Sequence, residues 1–237
     1  MNGAHGWTFE NLAIVLHLVL FAYWLGGDLG VFYASRFVIR PDLSPEARGV
    51  AVKVMEVVDM SPRICLVLFL PSGVTLMATS QYGRDIFGGW PLAVVWVAGL
   101  CWLALVIADH RRRPGRTGTL VHRADLVVRA GLVVGLLGVA VYTALAAQPF
   151  GVPTTQVWLA WKVAAYAACI ACGLAIRIRL APFGPAWAAL VRDGSSPDVE
   201  RRIRASVRGV LPFVYAIWVL VFVAAFLGVL KPGSTAL

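Results

Sequence analysis

Six stretches of the chain stay apolar for long enough to cross a bilayer as helices: roughly 12–34, 64–80, 91–108, 126–147, 157–177 and 210–230. A helix needs about 20 apolar residues to span the hydrocarbon layer. Barrel strands alternate polar and apolar positions over about ten residues, and these runs are longer and more uniform than that. A chain crossing lipid must also satisfy its own backbone hydrogen bonds. The pattern predicts an all-α, polytopic membrane helical bundle with about six transmembrane helices. It forms one domain over residues 1–237, with no room for a separate soluble one.

Within the first span, His17, Phe21, Trp24 and Asp28 recur at i, i+4, i+7 and i+11, which places them on one helical stripe. Span five has a similar stripe of Trp158, Lys162, Tyr166, Cys169 and Gly173. Small residues recur at close-packing distance: Gly26 and Gly30, then Gly131, Gly135 and Gly138 followed by Tyr142. Such seams predict close helix contacts in lipid. The loop after span one carries Ser44-Pro45-Glu46, a capping start for a short amphipathic helix. Its apolar face is expected to be Val50, Val54, Val57 and Val58, set against the bilayer surface or the bundle.

Composition agrees with the periodicity. Of 237 residues, 59% are hydrophobic and 14% charged, and the mean hydropathy is +0.78. The net charge of +9 raises nucleic acid as a partner, and its distribution argues against it. Eighteen of the 21 basic residues lie on alternate connections: Arg36 to Arg63, Arg111 to Arg129, and Arg177 to Arg208. Only Arg84 and Lys231 lie on the other side, with Lys162 inside a span. This positive-inside distribution puts the basic loops in the cytoplasm and both termini outside. It suits a bacterial-type inner (plasma) membrane, where the arginines also attract anionic membrane lipid. The start MNGAHGWTFE lacks the basic region of a secretory signal. Cys65, Cys101, Cys169 and Cys172 all lie within spans, unlike a secreted disulfide framework.

Ionisable groups at membrane depth are costly and usually face a bundle interior or a cavity. His17 and Lys162 each lie about five residues from the same surface, roughly 7 Å deep by helical rise. They are therefore expected at matching depth, facing each other or one ligand. The bland alternatives are a histidine bonded to a neighbouring carbonyl or hydroxyl and a snorkelling lysine. A buried imidazole is also a common haem ligand, and Met77 in span two is a chemically reasonable second axial ligand. Asp28 is expected near the inner face, either paired with Arg36 or Arg63 or acting as a proton or substrate relay. His110 and His122 flank the arginine loop, as interfacial side chains or as holders of a second cofactor. Cys169 and Cys172 read as small packing residues.

At these residues the chain resembles the HemJ family of membrane protoporphyrinogen oxidases, and more loosely the CopD-like membrane domains. The resemblance rests on His17, Trp24, Gly26-Gly27 and Phe32-Tyr33-Ala34-Ser35-Arg36-Phe37. It continues through Met55-Glu56, Pro62, Trp158-Leu159-Ala160-Trp161-Lys162 and Lys231-Pro232. These fall in order over spans one, two, five and six. Spans three and four then read as two extra helices, and Ser35 stands where the family typically has proline. The resemblance implies haem b, with His17 as the metal ligand and Trp24, Tyr166, Lys162 and Met77 near the cofactor. It further implies that Arg36, Glu56 and Lys162, with Asp28 added from the stripe, contact or neutralise a reduced porphyrin substrate. Electrons would pass to the quinone pool. Copper import is the CopD-like alternative, although soft ligands for Cu(I) are few in a chain with four methionines. A non-catalytic subunit of a larger membrane complex, or a homo-oligomer, is the third reading.

Overall fold

The computed structural model describes residues 7–80, 83–111, 115–147 and 157–233. The expectations that fall on Arg112, Arg113 and the connection 148–156 lie outside the described residues. The described residues form helices and no strand: α1 (Phe9–Val38), α2 (Pro45–Val58), α3 (Met60–Thr79), α4 (Arg84–Phe87), α5 (Trp90–His110), α6 (Arg116–Leu145), α7 (Val157–Leu180), α8 (Phe183–Asp193) and α9 (Pro197–Leu230). Six helical stretches are long and apolar enough to cross a membrane, so the chain is an all-α polytopic membrane protein. Each expected span lies within one of them except for residue 80 and residues 146–147, which lie just past α3 and α6.

The helix starts depart from the hydropathy pattern in one direction. α6 begins at Arg116 and α9 at Pro197, well before the apolar runs at 126 and 210. Polar residues continue a helix beyond the bilayer without changing its backbone, so hydropathy marks the lipid and not the helix. α9 is started by Ser196, whose side chain accepts a hydrogen bond from Val199 N, with Pro197 in the first turn, where its missing N–H is harmless. Ser44 caps α2 in the same way by accepting from Ala47 N. Between α1 and α2, the Arg40 side-chain hydrogen bond holds the exposed Asp42 carboxyl below the ordinary carboxylate range.

The chain divides into two compact units. The first gathers α1 up to Gly27, α3, α4, α5 and the first turns of α6. Here α1 and α3 pack antiparallel: a Cβ added to Gly27 would stand 2.6 Å from Pro62 Cδ, and Ser61 Oγ donates to Tyr23 O at 3.0 Å. Pro71 breaks one backbone hydrogen bond inside α3 and packs against Gly99 of α5. Thr75, one turn on, donates to Pro71 O and accepts from Trp96 Nε1 at 3.0 Å. α5 and α6 are joined by Trp102 Nε1 donating to Asp125, and by His122 Nδ1 against Asp109 at 3.1 Å.

The second unit holds the rest of α1, with α2, the later turns of α6, and α7 to α9. Along α7, Ala160, Ala165, Ala167, Cys169 and Ile170 are buried, small side chains that let α9 approach. At the polar end, Val38, Val52, Ala186, Leu190 and Ile203 form an apolar core.

One expectation about faces divides and one is corrected. α2 buries Arg48 and Val52, while Val50, Val54 and Val57 stay exposed. These three suit the bilayer side of the expectation, and Val58 meets Gly30 of α1 on the bundle side. Gly131, Gly135 and Gly138 have nothing within 4 Å of an added Cβ, so this seam makes no helix contact within the described chain. In the first seam the contacts come from Gly27 and Gly30, the latter meeting Val58, and not from Gly26.

Candidate functional site

His17 faces α3. Its Nδ1 lies 2.9 Å from Ser72 Oγ, and the Ser72 hydroxyl donates to Phe69 O at 3.2 Å. With the Ser72 proton on the Phe69 carbonyl, its lone pair accepts from His17 Nδ1–H and Nε2 is the basic nitrogen of the neutral ring; with that proton turned to His17, Nδ1 is the acceptor. Phe69 fills the space beside it: its ring centroid is 4.5 Å from His17 and 5.2 Å from the buried Trp24. Gly73 also faces the ring, an added Cβ falling in ordinary contact with His17 Cε1 at 3.7 Å. The α1 stripe is thus a real face, with Ala13, Leu20 and Trp24 all buried along it.

These residues fit the role of an axial haem ligand. Metal-bound histidines are generally held by a hydrogen bond from the other ring nitrogen, and Ser72 is placed to accept that bond here. Met77, the suggested second ligand, is five residues past Ser72 on α3, about 140° round the helix and 7.5 Å along it. α3 therefore does not present Met77 and Ser72 on one face. Among the described residues, no group of three or more histidine, cysteine, aspartate or glutamate side chains could hold a metal ion.

Lys162, Tyr166, Asp28, Arg36 and Glu56 belong to the second unit. The Lys162 ammonium lies against Gly228 of α9, where an added Cβ would collide with Nζ. Lys231, the left-handed cap residue of α9, acts on it as a like charge. This end of the α7–α9 pair is therefore cationic, and Lys162 meets no carboxylate among the described residues. Tyr166 and Cys169 follow on the same stripe. Tyr166 feels Arg129 electrostatically and Cys169 feels Asp28.

Arg129 was expected in the basic connection, and the structure corrects this. It lies 13 residues into α6, about 20 Å along the helix, and is 2% exposed. Gly173 of α7 makes room for its guanidinium, 3.8 Å from an added Cβ. Arg36 does not pair with Asp28. Its guanidinium rests over the rings of Phe32, at 4.7 Å, and Tyr33, at 5.7 Å. Glu56 is exposed on α2. His122 is held by Asp109, His110 is exposed, and Cys169 and Cys172 are free thiols.

Nothing around Arg48 in the sequence set it apart from the other arginines. It is 1% exposed, donates through Nε to Val38 O at 2.8 Å, and grips Glu200 with both terminal nitrogens at 2.7 and 3.0 Å. Three acids, Asp193, Asp198 and Glu200, stand among the arginines of the last connection, and they were the one available signal of an ion pair there.

No protein-family model, curated protein or solved structure matches this chain.

Proposed function

We propose that this chain is an integral membrane haem protein of the b type. In this reading it acts as an oxidoreductase on protoporphyrinogen or another reduced substrate, with electrons passed to the quinone pool. The observation that carries the reading is the 2.9 Å contact of His17 Nδ1 with Ser72 Oγ, which supports coordination through Nε2 by the ring protonated at Nδ1. Haem bound there would supply a one-electron redox centre. His17 would bind it, with Ser72 bonded to the other ring nitrogen and Phe69 packed between the imidazole and Trp24. In the second unit, Lys162 and Lys231 offer positive charge to an anionic group such as a porphyrin carboxylate. The ordered likeness to the HemJ group supports the same assignment of His17 and Lys162.

The test is spectroscopic. Protein purified in detergent from haem-replete cells is expected to show a Soret band, and His17→Ala to remove it. A colourless wild-type preparation, or a band unchanged in His17→Ala, overturns the proposal.

In the same reading the arginine-rich helix ends face the cytoplasm of a bacterial-type plasma membrane. A reporter inserted in the 194–196 turn should then be active only when cytoplasmic, and one placed at either terminus only when external.

A further inference from the structure

α9 carries no charged residue from Gly209 to Leu230. Those 22 residues span about 33 Å, close to the ~30 Å of a bilayer's hydrocarbon layer. The register fixes the depth of what precedes them. Arg208 stands at the hydrocarbon boundary, Arg204 about 6 Å beyond it and Arg201 about 10 Å beyond, within or just outside the headgroup zone. The helix runs unbroken through this boundary from Pro197 to Leu230.

Arg201, Arg204 and Arg208 follow one another at i, i+3 and i+7, so they share a face. With Pro197, Glu200 and Ala205 they line a surface groove of about 340 Å³. The one acid of the groove is already committed: both Glu200 oxygens are gripped by the buried Arg48. Asp198, outside the groove lining, pairs with Arg201 and Arg202. Arg204 feels the Glu200 carboxylate electrostatically but makes no close ion pair with it, and Arg208 has no close ion pair among the described residues. The groove therefore offers guanidinium donors at phosphate depth, with no uncommitted carboxylate to receive a headgroup ammonium.

We propose that this groove is a binding site for the phosphodiester headgroup of an anionic phospholipid. Guanidinium forks match phosphate oxygens in geometry as well as charge. The absence of an available acid disfavours zwitterionic headgroups. Arg204 and Arg208 are the main contacts, and Arg201, shared with Asp198, is a weaker one. The site is independent of any cofactor at His17.

Native mass spectrometry of the full chain, released from nanodiscs of equal phosphatidylglycerol and phosphatidylcholine, tests it. The wild type is expected to retain phosphatidylglycerol selectively. Each of the two arginines, in contact with the bound headgroup, contributes about a fivefold gain, so Arg204→Gln with Arg208→Gln should lower retention about 25-fold. The matching Arg204→Lys and Arg208→Lys pair keeps the charge and should keep most of the lipid. Arg123→Gln with Arg179→Gln, basic positions outside the groove, should change little. Circular dichroism of each variant separates lost lipid from lost fold.

Retention unchanged in the glutamine pair, or lost equally in the control pair, overturns the site. Inorganic phosphate that displaces phosphatidylglycerol and stabilises the wild type equally well overturns the lipid as its occupant.

Discussion

When His17 carries its proton on Nδ1, Ser72 accepts it, and the neutral imidazole can then accept or coordinate only through Nε2. Ser72 is thus a positioning residue. Losing such an outer partner typically lowers metal-site affinity about 10- to 100-fold. Ser72→Ala should therefore keep the Soret band of freshly isolated protein but release haem faster to an apo-acceptor, whereas His17→Ala shows no band. Thr75 makes another interhelical polar contact of α3, accepting from Trp96. Thr75→Val removes that acceptor and is expected to cost about 1 kcal/mol, a usual value for an interhelical hydrogen bond in lipid, read as a lower thermal midpoint in detergent. The His17 stripe was legible because apolar and aromatic residues recur at helical spacing on α1. Ser72 and Phe69 were not legible: α3 is apolar all round, so its sequence marks no face. Arg129 was misread for a related reason. A charge near the end of an apolar run looks interfacial until the opposing helix is seen to present a glycine.

At the scale of elements, glycines of similar appearance differ in what they meet. Gly27 is in contact with the backbone-fixed ring of Pro62, which cannot swing away as a flexible side chain would. Gly27→Ala should destabilise by about 1 to 3 kcal/mol through overpacking. Gly131→Ala and Gly135→Ala, with open space around the added methyl, should be neutral or gain up to about 1 kcal/mol from helix propensity. Thermal unfolding of the three variants in one detergent checks the contrast. Reversal of the order would show that the small-residue seam of α6 is the packed one. The six spans were readable because lipid demands long apolar helices, and α2 because Ser44-Pro45-Glu46 is a local start signal. Partner choice was not readable, because a GxxxG pattern states only that approach is permitted.

For the whole molecule, the polar end of the second unit depends on a single side chain. Arg48 links the C-terminus of α1 to α9 while lying in a core of Val38, Val52, Ala186, Leu190 and Ile203. Removing one member of a buried ion pair leaves the other charge uncompensated, at a cost of about 3 to 5 kcal/mol. Arg48→Ala should fall in that range. Arg48→Met with Glu200→Leu should recover most of the loss, because an apolar pair suits the surrounding core. A double-mutant cycle by thermal midpoint reads the coupling, and additive losses would show that the two side chains act separately. Charge counting could not separate Arg48 from its neighbours, since burial is a property of the assembled helices.

Arg48 and Glu200 are 152 residues apart in the chain, and that separation also sets a time. Synthesis at about 5–20 residues per second leaves Arg48 waiting roughly 10 to 30 seconds for its carboxylate. Throughout that interval the start of α2 carries an uncompensated cation, and the Val38 carbonyl at the end of α1 is held by a side chain not yet anchored. The final helix therefore acts as the latch that ends a vulnerable stage of biogenesis. Chains stalled before Pro197 should be the ones that membrane proteases remove first.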